Sequence, residues 1–236
     1  MQLADGLWLV DGLWISNVYI VAVDGGAVIV DAGGRNSVGP IMRTLNTAGY
    51  QPQDVRALVI THAHVDHIGG LPKLQGATGA PICASPGEAA AIEGRAPLPR
   101  PSGLHGLLFL LLTNSLDPMG ALRPKPVVVQ QLLTSGEMVP QMADWRVVGT
   151  PGHTPDHISL YQPERNILIS GDAIVNMGKV RRSPWLVTSN MSQAKASAAL
   201  LAGLRPRSLL TGHGPPIIEQ STLADQLIAT AQADRS

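Results

Sequence analysis

Seven residues in this chain are of the types, and at the spacings, that hold metal ions. The run Thr61-His62-Ala63-His64-Val65-Asp66-His67-Ile68-Gly69-Gly70 concentrates three imidazoles and one carboxylate in the six positions from 62 to 67. A solvated surface has no reason to gather neutral nitrogen ligands so densely. A core has less, because every buried imidazole needs a partner for both of its nitrogens. Single ligand-type residues recur downstream, each beside glycine and each after an expected strand. They are His153 in Gly152-His153-Thr154-Pro155, Asp172 in Gly171-Asp172, and His213 in Gly212-His213-Gly214. Glycine at these places lets the backbone bend toward an ion. One such residue is a weak signal, since a lone histidine beside glycine is more often a capped or surface group. Three of them after H-x-H-x-D-H make a strong one. Nitrogen and carboxylate donors without cysteine suit Zn²⁺, and also Fe or Mn in a mixed site.

The elements that must carry these residues are short. Residues 7–10, 13–15, 17–23 and 27–31 are rich in Val, Ile, Trp and Tyr and are split by Asp11-Gly12 and Asp24-Gly25-Gly26, so they read as strands joined by hairpin turns. Residues 37–48 place Val38, Ile41, Met42 and Leu45 at helical spacing before Gly49. Residues 57–60 form a β-branched buried strand that ends where the polar motif begins. The motif thus lies on a strand-to-helix loop. A helix, a strand at 81–84 and a helix after Pro86 follow. The second half repeats the plan with strands at 127–130, 145–149, 157–161 and 167–170, a helix at 193–202, a strand at 208–211 and a last helix from about 219. Strand-rich halves, each followed by helices, point to two sheets packed face to face with helices outside, an αββα sandwich of the α/β class. A single domain over residues 1–236 is expected.

One segment stands apart, at about residues 97–126. Prolines at 97, 99 and 101 precede it and prolines at 118, 124 and 126 follow it, and between them residues 102–116 are apolar on every side. A helix of that kind must be covered. A core helix, a lid over the site and a homodimer contact are the three readings. His105 lies inside it and is not read as a ligand, although a lid would turn it toward substrate.

Bulk properties exclude several classes. Hydrophobic residues make up 44% and charged residues 14%, which is globular rather than disordered. Lys plus Arg equals Asp plus Glu at 17 each, so there is no basic excess for nucleic acid. The longest apolar run, 107–112, is far short of the roughly 20 residues of a spanning helix. A lone cysteine, Cys83, and an N-terminus without a secretory pattern fit a cytoplasmic protein acting on a small molecule.

From roughly residue 7 to residue 218 the chain resembles the metallo-β-lactamase superfamily. The resemblance rests on Val30-Asp31-Ala32-Gly33, His62-x-His64-x-Asp66-His67, Gly152-His153-Thr154-Pro155, Gly171-Asp172 and Gly212-His213. It implies the αββα fold and two divalent metal ions. His62, His64 and His153 would bind the first, Asp66, His67 and His213 the second, and Asp172 both. Asp31 matches a position that supports ligands rather than binding metal. Two ions roughly 3.5–4 Å apart share a hydroxide that attacks an acyl or phosphoryl centre. Asp66 would orient that hydroxide and carry a proton. His157 follows Asp156, where such families often have glycine; it is read as beginning a strand and hydrogen-bonding near the site. Lys179, in Lys179-Val180-Arg181-Arg182, is either a rim charge for an anionic group or part of a solvated loop.

Departures narrow the subfamily. Penicillin-degrading members generally lack the full set of seven ligands. Acyl-homoserine lactonases typically have tyrosine three positions after the shared aspartate, where this chain has Val175. Glyoxalase-II enzymes carry a C-terminal helical domain, and only about 20 residues follow Pro215-Pro216 here. Flavodiiron reductases put glutamate where His64 stands. The expectation is a glyoxalase-II-like hydrolase of small esters, lactones or thioesters. β-Lactamase or phosphotriesterase activity on the same site and a mononuclear iron persulfide dioxygenase are the alternatives.

Overall fold

Alternating β-branched runs separated by tight turns build a mixed α/β protein with several sheets. The structure, a computed structural model, describes residues 1–100 and 124–233. It divides into two compact units, the first built mainly from Met1–Leu98 and the second mainly from Asp144 onward.

The first unit carries a seven-stranded sheet in simple sequence order: β1 (Gln2–Ala4), β2 (Leu7–Leu9), β3 (Tyr19–Val23), β4 (Gly26–Val30), β5 (Val55–Val59), β6 (Ile82–Ala84) and β7 (Gln131–Leu132). Hairpins make β1 to β4 antiparallel, and the crossovers that follow make β4 to β7 parallel. β4 is buried at every residue, as a strand covered on both faces must be. Helices α1 (Val38–Thr47), α3 (Leu71–Thr78) and α4 (Pro86–Ile92) line one side of it, with the single turn α2 (Val65–Ile68) between β5 and α3. Ile41 and Leu45 from α1, Leu71 and Leu74 from α3 and Ala89 and Ile92 from α4 pack on Ile20, Ile29, Leu58 and Ile82. The spacing of Ile41 and Leu45 is that of one helix face, which is why residues 38–47 fold as helix.

A five-stranded sheet is ordered β14-β11-β10-β9-β8, with β8 (Met138–Val139), β9 (Met142–Gly149), β10 (Ile158–Gln162), β11 (Ile167–Gly171) and β14 (Ser208–Thr211). A separate hairpin pairs β12 (Ile174–Asn176) with β13 (Val180–Arg182). Helices α5 (Met191–Gly203) and α6 (Leu223–Gln232) pack Ala198, Leu201, Leu223 and Leu227 against Leu168 and Leu209.

Several expectations shift. Residues 13–15 are not a strand: Trp14 is 97% exposed in a loop between β2 and β3. The strand expected at 127–130 forms just beyond that range, at Gln131–Leu132, as a two-residue edge strand paired with β6. β1, β8 and the β12–β13 hairpin are additional elements, too short to carry a period. Residues 102–116 with His105, and hence the core, lid and dimer readings, lie outside the described residues. Among the described residues no helix is long and apolar enough to cross a membrane.

Two glycines show how tightly the loops are drawn. Gly214 has φ +84°, and a side chain there would fall on the Asn176 carbonyl. Gly76, by contrast, is on an open face of α3 with nothing near its missing Cβ. Replacing Gly214 with Ala should lower stability by about 2 kcal/mol or more, whereas Gly76→Ala should raise it by up to about 1 kcal/mol. Urea unfolding of both variants checks the pair. Cys83 is fully buried, and burial pushes its thiol up to about 12. At pH 8 a thiol reagent should therefore label the native chain negligibly and the unfolded chain once.

Candidate metal centre

In the first unit the site is assembled where β4 and β5 end side by side. Asp31 follows β4 with φ +64°, a left-handed conformation that asparagine and aspartate tolerate better than other side chains. The turn is held by Asp31 N–H donating to Val59 O at 2.8 Å and by Ala32 N–H donating to His67 O at 2.8 Å. It buries the Asp31 carboxylate beneath the metal-type motif. Oδ1 accepts the Thr61 N–H at 2.8 Å, the Thr61 hydroxyl lies 3.0 and 2.9 Å from the two oxygens, and Oδ2 is 2.8 Å from His67 Nδ1.

These contacts assign tautomers. His67 donates its Nδ1–H to Asp31, which puts the lone pair on Nε2. The Thr61 hydroxyl donates its one proton to Asp31, so Oγ1 accepts from His62 Nδ1, 3.0 Å away. The lone pair of His62 is then also on Nε2. One carboxylate sets both rings.

The rest of the motif is positioned by a single helical turn. His64 caps α2 with extended backbone, and its carbonyl accepts from His67 N at 2.9 Å and Ile68 N at 3.0 Å. The turn brings His67 under His62, with ring centroids 4.1 Å apart, while His64 lies 4.8 Å from His62. Asp66 Oδ2 is 3.7 Å from His67 Nε2, and its side chain stays partly exposed. Gly70 is needed because a Cβ there would meet the Ala32 carbonyl, and Gly69 because a Cβ would sit 2.8 Å from Arg35 N. The Gly-Gly pair is thus the place where the helical turn crosses the Asp31 loop.

In the second unit three further residues converge. Asp172 follows β11, and its Oδ2 lies 3.4 Å from His153 Nε2 and 3.1 Å from His213 Nε2. Lone pairs and a carboxylate oxygen this close repel one another unless a proton or a cation lies between them. His153 sits in a turn whose carbonyl accepts from Ser189 N at 3.0 Å, while Gly152 O accepts from Asn190 N at 2.8 Å just before α5. The His213 carbonyl is held by Asn176 N at 3.0 Å and by the Thr211 hydroxyl at 2.8 Å.

His157 has a different task. Its Nε2 accepts the Asp172 N–H at 3.0 Å, so Nδ1 carries the proton and donates to Thr150 Oγ1 at 2.7 Å. Nε2 thus holds the Asp172 backbone while Nδ1 is anchored on Thr150. Lys179 is an exposed residue at the turn between β12 and β13. Two contacts went unread in the sequence. The Ser16 hydroxyl donates to Asp66 O, and the buried Glu88 carboxylate accepts the Ala63 N–H at 2.7 Å.

The donors in each unit fit a divalent cation of borderline or hard character, being imidazole nitrogens beside carboxylates. The chain is similar to characterised folds and to curated relatives over most of its length. The family model for the metallo-beta-lactamase superfamily matches residues 11–213. A probable metallo-hydrolase, YflN of Bacillus subtilis (strain 168), is 29% identical over 228 residues, covering 89% of this chain and 85% of that one. The metallo-beta-lactamase family protein TTHA1429 of Thermus thermophilus superposes with TM-score 0.70 at 25% identity, covering 98% of this chain and 80% of that one. TTHA1623, solved in a di-iron-bound form, gives TM-score 0.66 at 26% identity over 88% of this chain and 92% of its own. The fold is that of these proteins, and the chain belongs to the metallo-β-lactamase superfamily.

Proposed function

We propose that the chain holds a binuclear metal centre and is a metal-dependent hydrolase of small carboxylic esters, lactones or thioesters. The observation that carries the reading is the Asp31 network, which presets two imidazoles of the motif for metal in advance. In this reading His62, His64 and His153 hold one ion, Asp66, His67 and His213 the other, and Asp172 serves both. Support for two ions comes from the donor set and from the di-iron form of TTHA1623. Zinc suits these donors, and iron or manganese fits them as well. When bound, such ions acidify water and polarise an acyl oxygen.

The chain's own groups do the rest. Asp66 combines a partly exposed carboxylate with a backbone carbonyl pinned by Ser16. In this reading it orients the attacking water, accepts a proton at Oδ, and returns it to the leaving oxygen or sulfur. His157 fixes the backbone of Asp172 and thereby the direction of its carboxylate. No serine or cysteine nucleophile is required, and the one thiol is sealed inside.

Purified protein should hold close to two metal ions per chain by elemental analysis, and Asp172→Ala should reduce ester, lactone and thioester turnover to background with the far-UV spectrum retained. A single iron per chain together with oxygen uptake on a persulfide would replace the hydrolase reading with a dioxygenase. Asp31→Ala should weaken metal binding by about 10- to 100-fold through loss of the supporting shell. Competition with a chromogenic chelator measures that change, and an unaltered affinity would remove the Asp31 network as the basis of the site.

A further inference from the structure

A buried carboxylate outside the recognised motifs bears on the same loop. Glu88 stands at the third position of α4, in Ser85-Pro86-Gly87-Glu88, and is 1% exposed. A glutamate three residues after serine at a helix start ordinarily turns its carboxylate back to the helix's own first residue. Here one oxygen, Oε2, reaches out of the helix and accepts the N–H of Ala63 at 2.7 Å. Ala63 is the residue between His62 and His64 and is itself fully buried.

The loop from Thr61 to His64 lies beyond the strand ladder, which ends with Ile60 N–H donating to Cys83 O at 2.9 Å. It is not yet helical, since α2 begins at Val65. Two peptide N–H groups of this stretch are taken by carboxylates, Thr61 N by Asp31 and Ala63 N by Glu88. Thr61 and His62 therefore lie between two fixed peptides, Ile60–Thr61 and His62–Ala63, and the second is one residue short of His64. A charged acceptor binds an N–H roughly twice as strongly as a neutral one. Desolvating a carboxylate is costly, so its burial here calls for a structural return.

We infer that Glu88 is a positioning residue of the metal centre, holding the His62-Ala63-His64 backbone in its ligand-bearing conformation before any ion arrives. The inference rests on the proposed reading of His62 and His64 as ligands. It places a second carboxylate beside Asp31, on a helix that carries none of the proposed ligands, in the support of the site.

Zn²⁺ alone is the probe. Glu88→Ala should lower the Zn²⁺ affinity of the full chain by tenfold or more. Glu88→Gln, which keeps an oxygen acceptor at the same reach, should stay within about threefold of the native chain. A purely structural glutamate would instead lower the unfolding temperature of the metal-free chain and leave Zn²⁺ affinity untouched in both variants, which overturns the inference. Should Glu88→Ala not fold, the native chain still decides. After chelation, the Ala63 amide should exchange slowly with deuterium, and faster in Glu88→Gln. Exchange of that amide at the rate of an unstructured peptide in the native chain would also overturn it. Failure of the native chain to bind Zn²⁺ at all is a separate result, and it would remove the ligand reading itself.

Discussion

The Asp31 carboxylate is the interaction on which the first half of the site depends. Four groups meet on it or through it: the Thr61 amide, the Thr61 hydroxyl, the His67 ring and, by way of the hydroxyl, the His62 ring. It reaches them only because β4 ends in a left-handed residue beside the end of β5, an arrangement that the parallel pairing of those two strands imposes. Removing the charge would leave a buried amide, a buried hydroxyl and the His67 imidazole without their common acceptor, and each such loss costs on the order of 1–3 kcal/mol. The same burial that makes the group costly makes it directional.

The second unit solves the same problem with different parts. There a histidine, His157, takes the place of the aspartate and grips Asp172 by its backbone N–H. Close approaches do the rest. The β12–β13 hairpin presses on Gly214, and the start of α5 presses on Gly152, so His153 and His213 leave backbones with little freedom to move. Aspartate and glutamate, glycine and short turns are the means by which both units fix imidazoles that would otherwise sample several rotamers.

The chemistry was more legible in the sequence than its support. H-x-H-x-D-H is dense enough to exclude a surface or a core by composition alone, and His153, Asp172 and His213 gain meaning only beside it. Their placement follows from strand ends, which the β-branched runs before them disclose. Glu88 could not be read, because Ser85-Pro86-Gly87-Glu88 carries the local signature of a helix start and that signature hides a long-range bond. Ser16 is equally silent, a polar residue in a loop whose partner is a main-chain oxygen fifty residues away. Residues 13–15 mislead in the opposite direction. Leu, Trp and Ile have strand-forming side chains, yet Asp11-Gly12 turns the chain outward and nothing pairs with them. Propensity describes a residue's preference for a pleated surface, not whether a neighbouring strand is present.

The sealed thiol of Cys83 has a practical consequence. A chain whose one cysteine is shut inside the sheet is a ready-made background for site-specific reporters. Trp14 is almost wholly exposed, two residues from the serine that grips the Asp66 carbonyl. A Trp14→Cys replacement would offer the sole reactive sulfur, and an environment-sensitive dye attached to it would sit on the same short loop as that grip. Occupancy of the motif could then be followed in real time by light, without a chromogenic substrate and without foreknowledge of what the enzyme consumes.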